Sequence, residues 1–220
     1  MKIPSLHSIV AVALLALPAW NASAQVSIST SSSPPAPPLY VSQPDNNGGT
    51  WAWNSARPYA GQSFQAPSTA TLSEISIKIA GAGTAVSGAN FTLSLYESTS
   101  RTEIGSVKVS ETGSLPDQVN ANDYLVFQFQ EEVSLVEGNF YTFILSGNNL
   151  PSTFITFATG NTAGLTGDRW SSTDGSAFTR NATSSIEFHV TVIPEASAAW
   201  LFGLAVPIFF AMRPRRRHAA

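Results

Sequence analysis

The chain has 220 residues, enough for one core plus terminal signals, and only 11% of them are charged, under half the roughly 25% usual in soluble proteins. Its net charge of -3 hides an asymmetry: Lys2, Arg213, Arg215, Arg216 and Arg217 sit at the ends, and between Gln25 and Ile193 six Lys/Arg face 13 Asp/Glu, which argues against a nucleic-acid partner. The lack of cysteine excludes disulfides, thiolate zinc sites and cysteine nucleophiles.

At the N-terminus Lys2 precedes the apolar run Ile9 to Trp20, and Ala22-Ser23-Ala24 places small residues at the -3 and -1 positions. This pattern predicts a signal peptide over 1–24, cut before Gln25 by signal peptidase at Ala22 and Ala24. The apolar run, about 12 residues long, is shorter than the about 20 a bilayer span needs. Residues 25–38 are serine-rich and then proline-rich (Pro34, Pro35, Pro37, Pro38), a composition that favours extended polyproline backbone and reads as a linker. The folded region is expected from Leu39, over 39–193.

Within it, apolar and polar residues alternate with period two, the mark of strands with one buried and one wet face. Ile75, Ile77 and Ile79 alternate with Glu74, Ser76 and Lys78, and Phe91, Leu93 and Leu95 with Thr92, Ser94 and Tyr96. Val107 and Val109 flank Lys108; the series continues through Leu125, Phe127 and Phe129, then Tyr141, Phe143 and Leu145, Phe154 to Ala158, and Ile186 to Val192. Turn-forming Gly, Asn, Pro and Asp separate the runs, and no long amphipathic helix interrupts them. About eight strands predict an all-β chain, an antiparallel β-sandwich of jelly-roll-like size. The succession Gly61-Gln62-Ser63-Phe64, Leu72 to Ile79 and Leu93-Ser94-Leu95-Tyr96 resembles the choice-of-anchor-like β-sandwich ectodomains that are joined to interchangeable surface anchors. The resemblance implies a fold related to carbohydrate-binding modules.

Chemistry-bearing residues are sparse, and no catalytic residue is assigned. His189 is the one histidine between the terminal signals, expected on a solvent-facing strand side with Glu187 and Thr191. A lone imidazole cannot build a multi-histidine zinc site, and no Gly-x-Ser-x-Gly elbow accompanies it. Glu131-Glu132 read as solubilising charges at a strand end. Cofactors are not expected, although Asp45, Asp168 and Asp174 lie in loop-rich stretches whose oxygens could hold a structural calcium. Trp51, Trp53, Tyr59 and Trp170 stand outside clean alternation, near Arg57, Asp168 and Arg169. Two readings stay open for them: a platform whose flat rings stack on extracellular polysaccharide, or plugs closing the open end of the sandwich.

The C-terminal end, 194–220, has three parts in fixed order: Pro194-Glu195-Ala196, a mostly apolar run to Met212, and Arg213-Pro214-Arg215-Arg216-Arg217. About 17 helical residues would reach roughly 25 Å, close to the hydrocarbon core of about 30 Å, and the positive-inside rule keeps the arginines cytoplasmic. This tail resembles that of the PEP-CTERM sorting proteins of Gram-negative bacteria that secrete extracellular polymer, with Ala196 where that family's motif has its second proline. The resemblance implies an exosortase substrate: Pro194, Glu195 and Ala196 as sorting motif, Arg213, Arg215, Arg216 and Arg217 setting topology, and an inner-membrane-anchored precursor bound for the cell surface or matrix. The expected function is that of a non-enzymatic exported protein, with a carbohydrate-binding module as the alternative.

Overall fold

The computed structural model describes residues 25–43, 49–83, 86–160 and 167–193; the expected signal peptide with its cleavage residues Ala22 and Ala24, Asp45, and the whole 194–220 tail lie outside the described residues. Among the described residues the chain is all-β, without a helix. Its strands are β1 (Ser27–Ser31), β2 (Val41–Gln43), β3 (Gly49–Trp53), β4 (Tyr59–Gln65), β5 (Ala70–Ala82), β6 (Asn90–Ser98), β7 (Ser106–Ser114), β8 (Tyr124–Gln128), β9 (Val133–Leu135), β10 (Phe140–Ser146), β11 (Ile155–Gly160), β12 (Arg169–Ser172), β13 (Thr179–Asn181), β14 (Ser185–Ile186) and β15 (Phe188–Ile193).

They form two antiparallel sheets, an arrangement consistent with a β-sandwich. One runs β13-β12-β4-β10-β6-β7. The other is organised around β5, whose 13 residues pair with β8, β9, β11 and β15 along their length, while β1 adds to β8, β2 to β15, and β3 and β14 to β11. The inner faces meet in an aromatic core that joins the sheets: Phe188 packs on Phe143 at 5.5 Å and on Phe64 at 6.2 Å between ring centroids, and Phe91 on Phe127 at 5.6 Å. Ile75, Ile77 and Ile79 are fully buried between them, as their alternation predicts.

Several expectations are corrected. The strands exceed the predicted eight because short ones carry too little pattern to be seen, and β4 breaks the alternation rule: Gln62 and Ser63 are buried in a strand paired on both sides. The presumed linker contributes structure. Val26 is buried, its N–H donates to the Thr112 carbonyl at 2.9 Å, and Ser27 to Ser31 pair along β8, so folding begins well before Leu39. Serine is compatible with an edge strand because the ladder uses only backbone groups. A bulge at β6 and β7 pairs Leu95 with Val109 but Tyr96 with Val107; Val109 is therefore buried while Val107 is 55% exposed. Ser76, expected on a wet face, is fully buried beside His189.

Candidate functional site

Residues in register across antiparallel strands point to the same side of the sheet, so the pairings of the six-stranded sheet map its outward face row by row. One row runs Thr112, Thr92, Ser146, Tyr59 and Ser172 across β7, β6, β10, β4 and β12. The next runs Ser110, Ser94, Ile144, Gly61, Trp170 and Arg180. Beyond it stand Tyr96, Thr142 and Ser63, with Asp168 beside Ser63 through a backbone bond of 2.9 Å. The face thus grades from hydroxyls at one end, through aromatics, to an ionic patch.

The ionic patch is built on Asp168, whose side chain is fully buried. Arg101, from the loop between β6 and β7, donates through Nε at 3.2 Å and a terminal nitrogen at 2.9 Å; Arg180 of β13 donates through Nε at 2.6 Å. Two guanidiniums on one carboxylate leave a net positive local charge. The Asp168 N–H donates to Ser63 Oγ at 2.8 Å, which also receives the Trp170 indole N–H at 3.3 Å. Next to this patch Phe178 packs edge-on to Tyr59 at 6.2 Å and to Tyr96 at 6.4 Å, and Thr142 and Ile144 of β10 are buried.

At the hydroxyl end lies a groove of about 870 Å³. Its floor is apolar (Phe91, Leu150, Phe154) and its walls carry Asn90, Thr92, Thr112, Ser114, Ser146, Asn148 and Asn149, with no charged side chain among the lining residues. The loop after β10 forms one wall and is held in place. Gly147 N–H bonds the Pro58 carbonyl at 3.1 Å, Ser55 N–H bonds the Pro151 carbonyl at 3.1 Å, and Asn54 Nδ2 donates to the Ser152 carbonyl at 3.0 Å. Leu150 is buried as the anchor of this loop.

A second polar cluster lies on the outer side of the other sheet, where β15 pairs with β2 and β5. Ser42 Oγ and His189 Nδ1 are 2.9 Å apart, Tyr124 donates to Glu187 at 3.0 Å, and Lys78 stands 3.4 Å from the same carboxylate. Glu187 and His189 are buried, against the expectation of a solvent-facing side, because the cross-strand neighbours on β2, β5 and β8 close over them. Burial pushes the His189 imidazole below its ordinary value against the opposing pull of Glu187, and burial together with the Glu187 carboxylate raises the Tyr124 phenol to about 12. Glu187 takes both Tyr124 and Lys78 on Oε1, and among the described residues no carboxylate is hydrogen-bonded to the imidazole, the orienting contact of a hydrolase triad.

The structure separates the residues expected to form a glycan platform. Trp53 is fully buried among Phe91, Phe154 and Phe157, and its indole N–H donates to the Pro58 carbonyl at 3.0 Å. Trp51 is buried against Phe157 with the Arg169 guanidinium 4.7 Å above its ring, a cation–π contact at a group whose pKa is lowered by burial and by the nearby charge of Arg57. Trp170 is buried over Gly61. None of the three indoles offers an open face, so the platform reading is corrected for them, while Tyr59 stays half-buried in the row leading from the groove. Of the acidic residues read as able to hold a calcium, Asp168 has both oxygens held by guanidiniums and Asp174 caps its own turn, while Asp45 lies outside the described residues. There the Ser176 backbone N–H, its hydroxyl and Ser172 hold the Asp174 carboxyl at about 2. Glu131 and Glu132 are exposed in the turn between β8 and β9, where the Glu131 N–H is bound by the buried Glu111.

Arg101, Arg180, Phe178 and the groove residues were not legible in advance. They come from strands and loops far apart in the chain, and each is an unremarkable polar or aromatic residue; the Asn148-Asn149 pair was the one local signal for a special loop, and Asn149 takes a positive φ of 56°. What the fold and this surface define is an all-β protein of two antiparallel sheets with a neutral groove and a salt-bridged patch on one outer face. Compared with family models, with curated proteins and with solved structures, the chain shows no match in any of the three.

Proposed function

We propose that the protein is a non-enzymatic component of the bacterial cell surface or extracellular matrix. It is a jelly-roll-like β-sandwich exported by its N-terminal signal and sorted through its C-terminal tail by an exosortase. The observation that carries this reading is the order Pro194-Glu195-Ala196, apolar run, arginine cluster, placed directly after Ile193, the last residue of β15. Because no spacer separates β15 from the motif, a cut beyond Glu195 frees the body without removing any residue of its sheets. The arginines oppose translocation and hold the tail in one orientation, with the body outside the inner membrane, the side to which the signal peptide also directs it.

The reading assigns the protein's own residues the role of substrate. Pro194 and Glu195 are recognised, the apolar helix presents them at membrane depth, and signal peptidase and exosortase are the processing partners. The test is the intact mass of the mature protein from its native host. The expected mass lacks residues 1–24 and the segment beyond Pro194-Glu195. A product that keeps 196–220 would replace sorting with stable anchoring and overturn the reading.

A further inference from the structure

We propose that the groove at the hydroxyl end of the six-stranded sheet binds a neutral glycan chain. The argument starts from what the groove lacks. None of its lining side chains is charged, and the body around it is acidic, so anionic polymers are repelled at long range and no side-chain ion pair rewards them at short range; the α-amino group that cleavage would leave on Gln25 is not present in the uncut chain. What it offers is hydroxyls and carboxamides, each able to donate and to accept, held over the buried Phe91, Leu150 and Phe154. A pyranose presents the same duality, since each of its rim hydroxyls both donates and accepts.

The groove's hydrogen-bonding capacity is unspent. Asn90 accepts from Ser114 at 2.7 Å, but among the described residues the side chains of Thr92, Thr112, Ser146, Asn148 and Asn149 have no hydrogen-bond partner in the protein. Their backbones are nonetheless fixed, Thr112, Thr92 and Ser146 by adjacent ladder positions and the asparagines by the tethered loop, so the ordering cost of binding is confined to side-chain rotamers. At about 870 Å³ the groove lies within the range of small-molecule sites, roughly 300–1,000 Å³. The row that starts in it leads to Tyr59, a half-buried ring where a chain leaving the groove can continue. Gln25, the first residue expected after signal cleavage, lies at the rim beside Thr112.

The test is titration calorimetry on the full chain in a detergent without sugar headgroups, with cellohexaose, maltohexaose, mannohexaose and xylohexaose as neutral probes and hexagalacturonate as the anionic one. The expected result is binding of at least one neutral probe, weakened about tenfold or more by Thr92→Val and by Asn148→Ala and unchanged by Ser110→Ala, which lies on the same face outside the groove. Thermal melting of each variant confirms the fold; Asn148, on an exposed loop, carries the test if Thr92→Val melts early. Failure of all four neutral probes, preference for hexagalacturonate, or binding indifferent to Asn148→Ala each overturns the proposal. Tail processing is read by mass, so this proposal and the sorting reading fail separately.

Discussion

Gln62 of β4 accepts, through its side-chain oxygen, the backbone N–H of Ile186 at 3.0 Å, a bond across the buried space between the two sheets and over 124 residues of chain. Its amide nitrogen donates to the Ser63 carbonyl at 3.1 Å, so a fully buried carboxamide is satisfied at both ends. An apolar core position here would leave the Ile186 N–H without a partner. Gln62→Leu is therefore expected to lower stability by about 1–3 kcal/mol despite its larger apolar surface. Urea denaturation checks this; an unchanged midpoint would show that the inter-sheet bond contributes nothing.

Asp168 holds two arginines from separate segments, and among the described residues no other carboxylate meets either of them. Asp168→Ala is expected to cost about 3 kcal/mol, the lower end for a broken buried pair, because Arg101 and Arg180 are each one-third exposed and can turn towards water. Arg101→Ala, which leaves Arg180 in place, should cost distinctly less. Equal losses in denaturation midpoint for the two variants would refute the shared-anchor account.

Acid should weaken the fold in two stages. His189 is neutral by burial, with its value below the ordinary 6.5, in an environment that also holds Glu187, Lys78 and Tyr124. Its contribution is complete above about 6.5 and is lost as pH falls, since the unfolded chain binds the proton more readily. Burial acts to raise the Glu97 carboxyl, but hydrogen bonds from Lys108, Tyr141 and Asn139 outweigh it and hold the group at about 2. That contribution is present above about 4.5 and is lost as pH falls towards 2. Melting temperature against pH should therefore decline from near neutrality downward. His189→Gln should flatten the upper part of the slope and leave the lower part intact.

Trp53 packs against Phe91 and Phe154, two of the residues that line the groove. Trp53→Ala empties a fully buried site lined by three phenylalanines and should cost about 3–5 kcal/mol. Because two of those phenylalanines line the groove, glycan affinity measured on the folded fraction should fall together with stability. Specific loss of affinity without loss of stability would restore the tryptophan platform that the burial argues against.

Gly61 is the position where a single methyl should do most harm in β4. A Cβ there would run into the Phe143 carbonyl oxygen, a backbone group of the paired strand, and stand 2.6 Å from Ile144 Cδ1. Gly61→Ala is expected to destabilise by about 1–3 kcal/mol or to shift the β4–β10 register. A wild-type melting temperature would contradict that geometry.

Long, regular stretches such as Ile75 to Ile79 and Phe91 to Leu95 announce their strands in the order of their residues, because period-two alternation is a local property and survives without knowledge of partners. The all-β class followed from it, as did the burial of those side chains. The absence of a basic footprint and of thiol chemistry also follows from composition alone, and the proposed sorting role rests on the linear order of the tail. The second face of each strand was beyond such reading. Ser76, Glu187 and His189 look like solvent-facing residues until β2, β5, β8 and β15 are laid side by side, and Trp51, Trp53 and Trp170 look like a platform until their rings are seen against phenylalanines or over Gly61. Ser27 to Ser31 became a strand only because β8 had an edge to pair with. The groove is the extreme case: Thr92, Thr112, Ser146 and Asn148 come from three strands and a loop, and a strand pairing forms or fails through backbone hydrogen bonds that are nearly blind to side-chain identity. Which side chains become neighbours is therefore set by register and sheet order, quantities that exist only once the chain has folded.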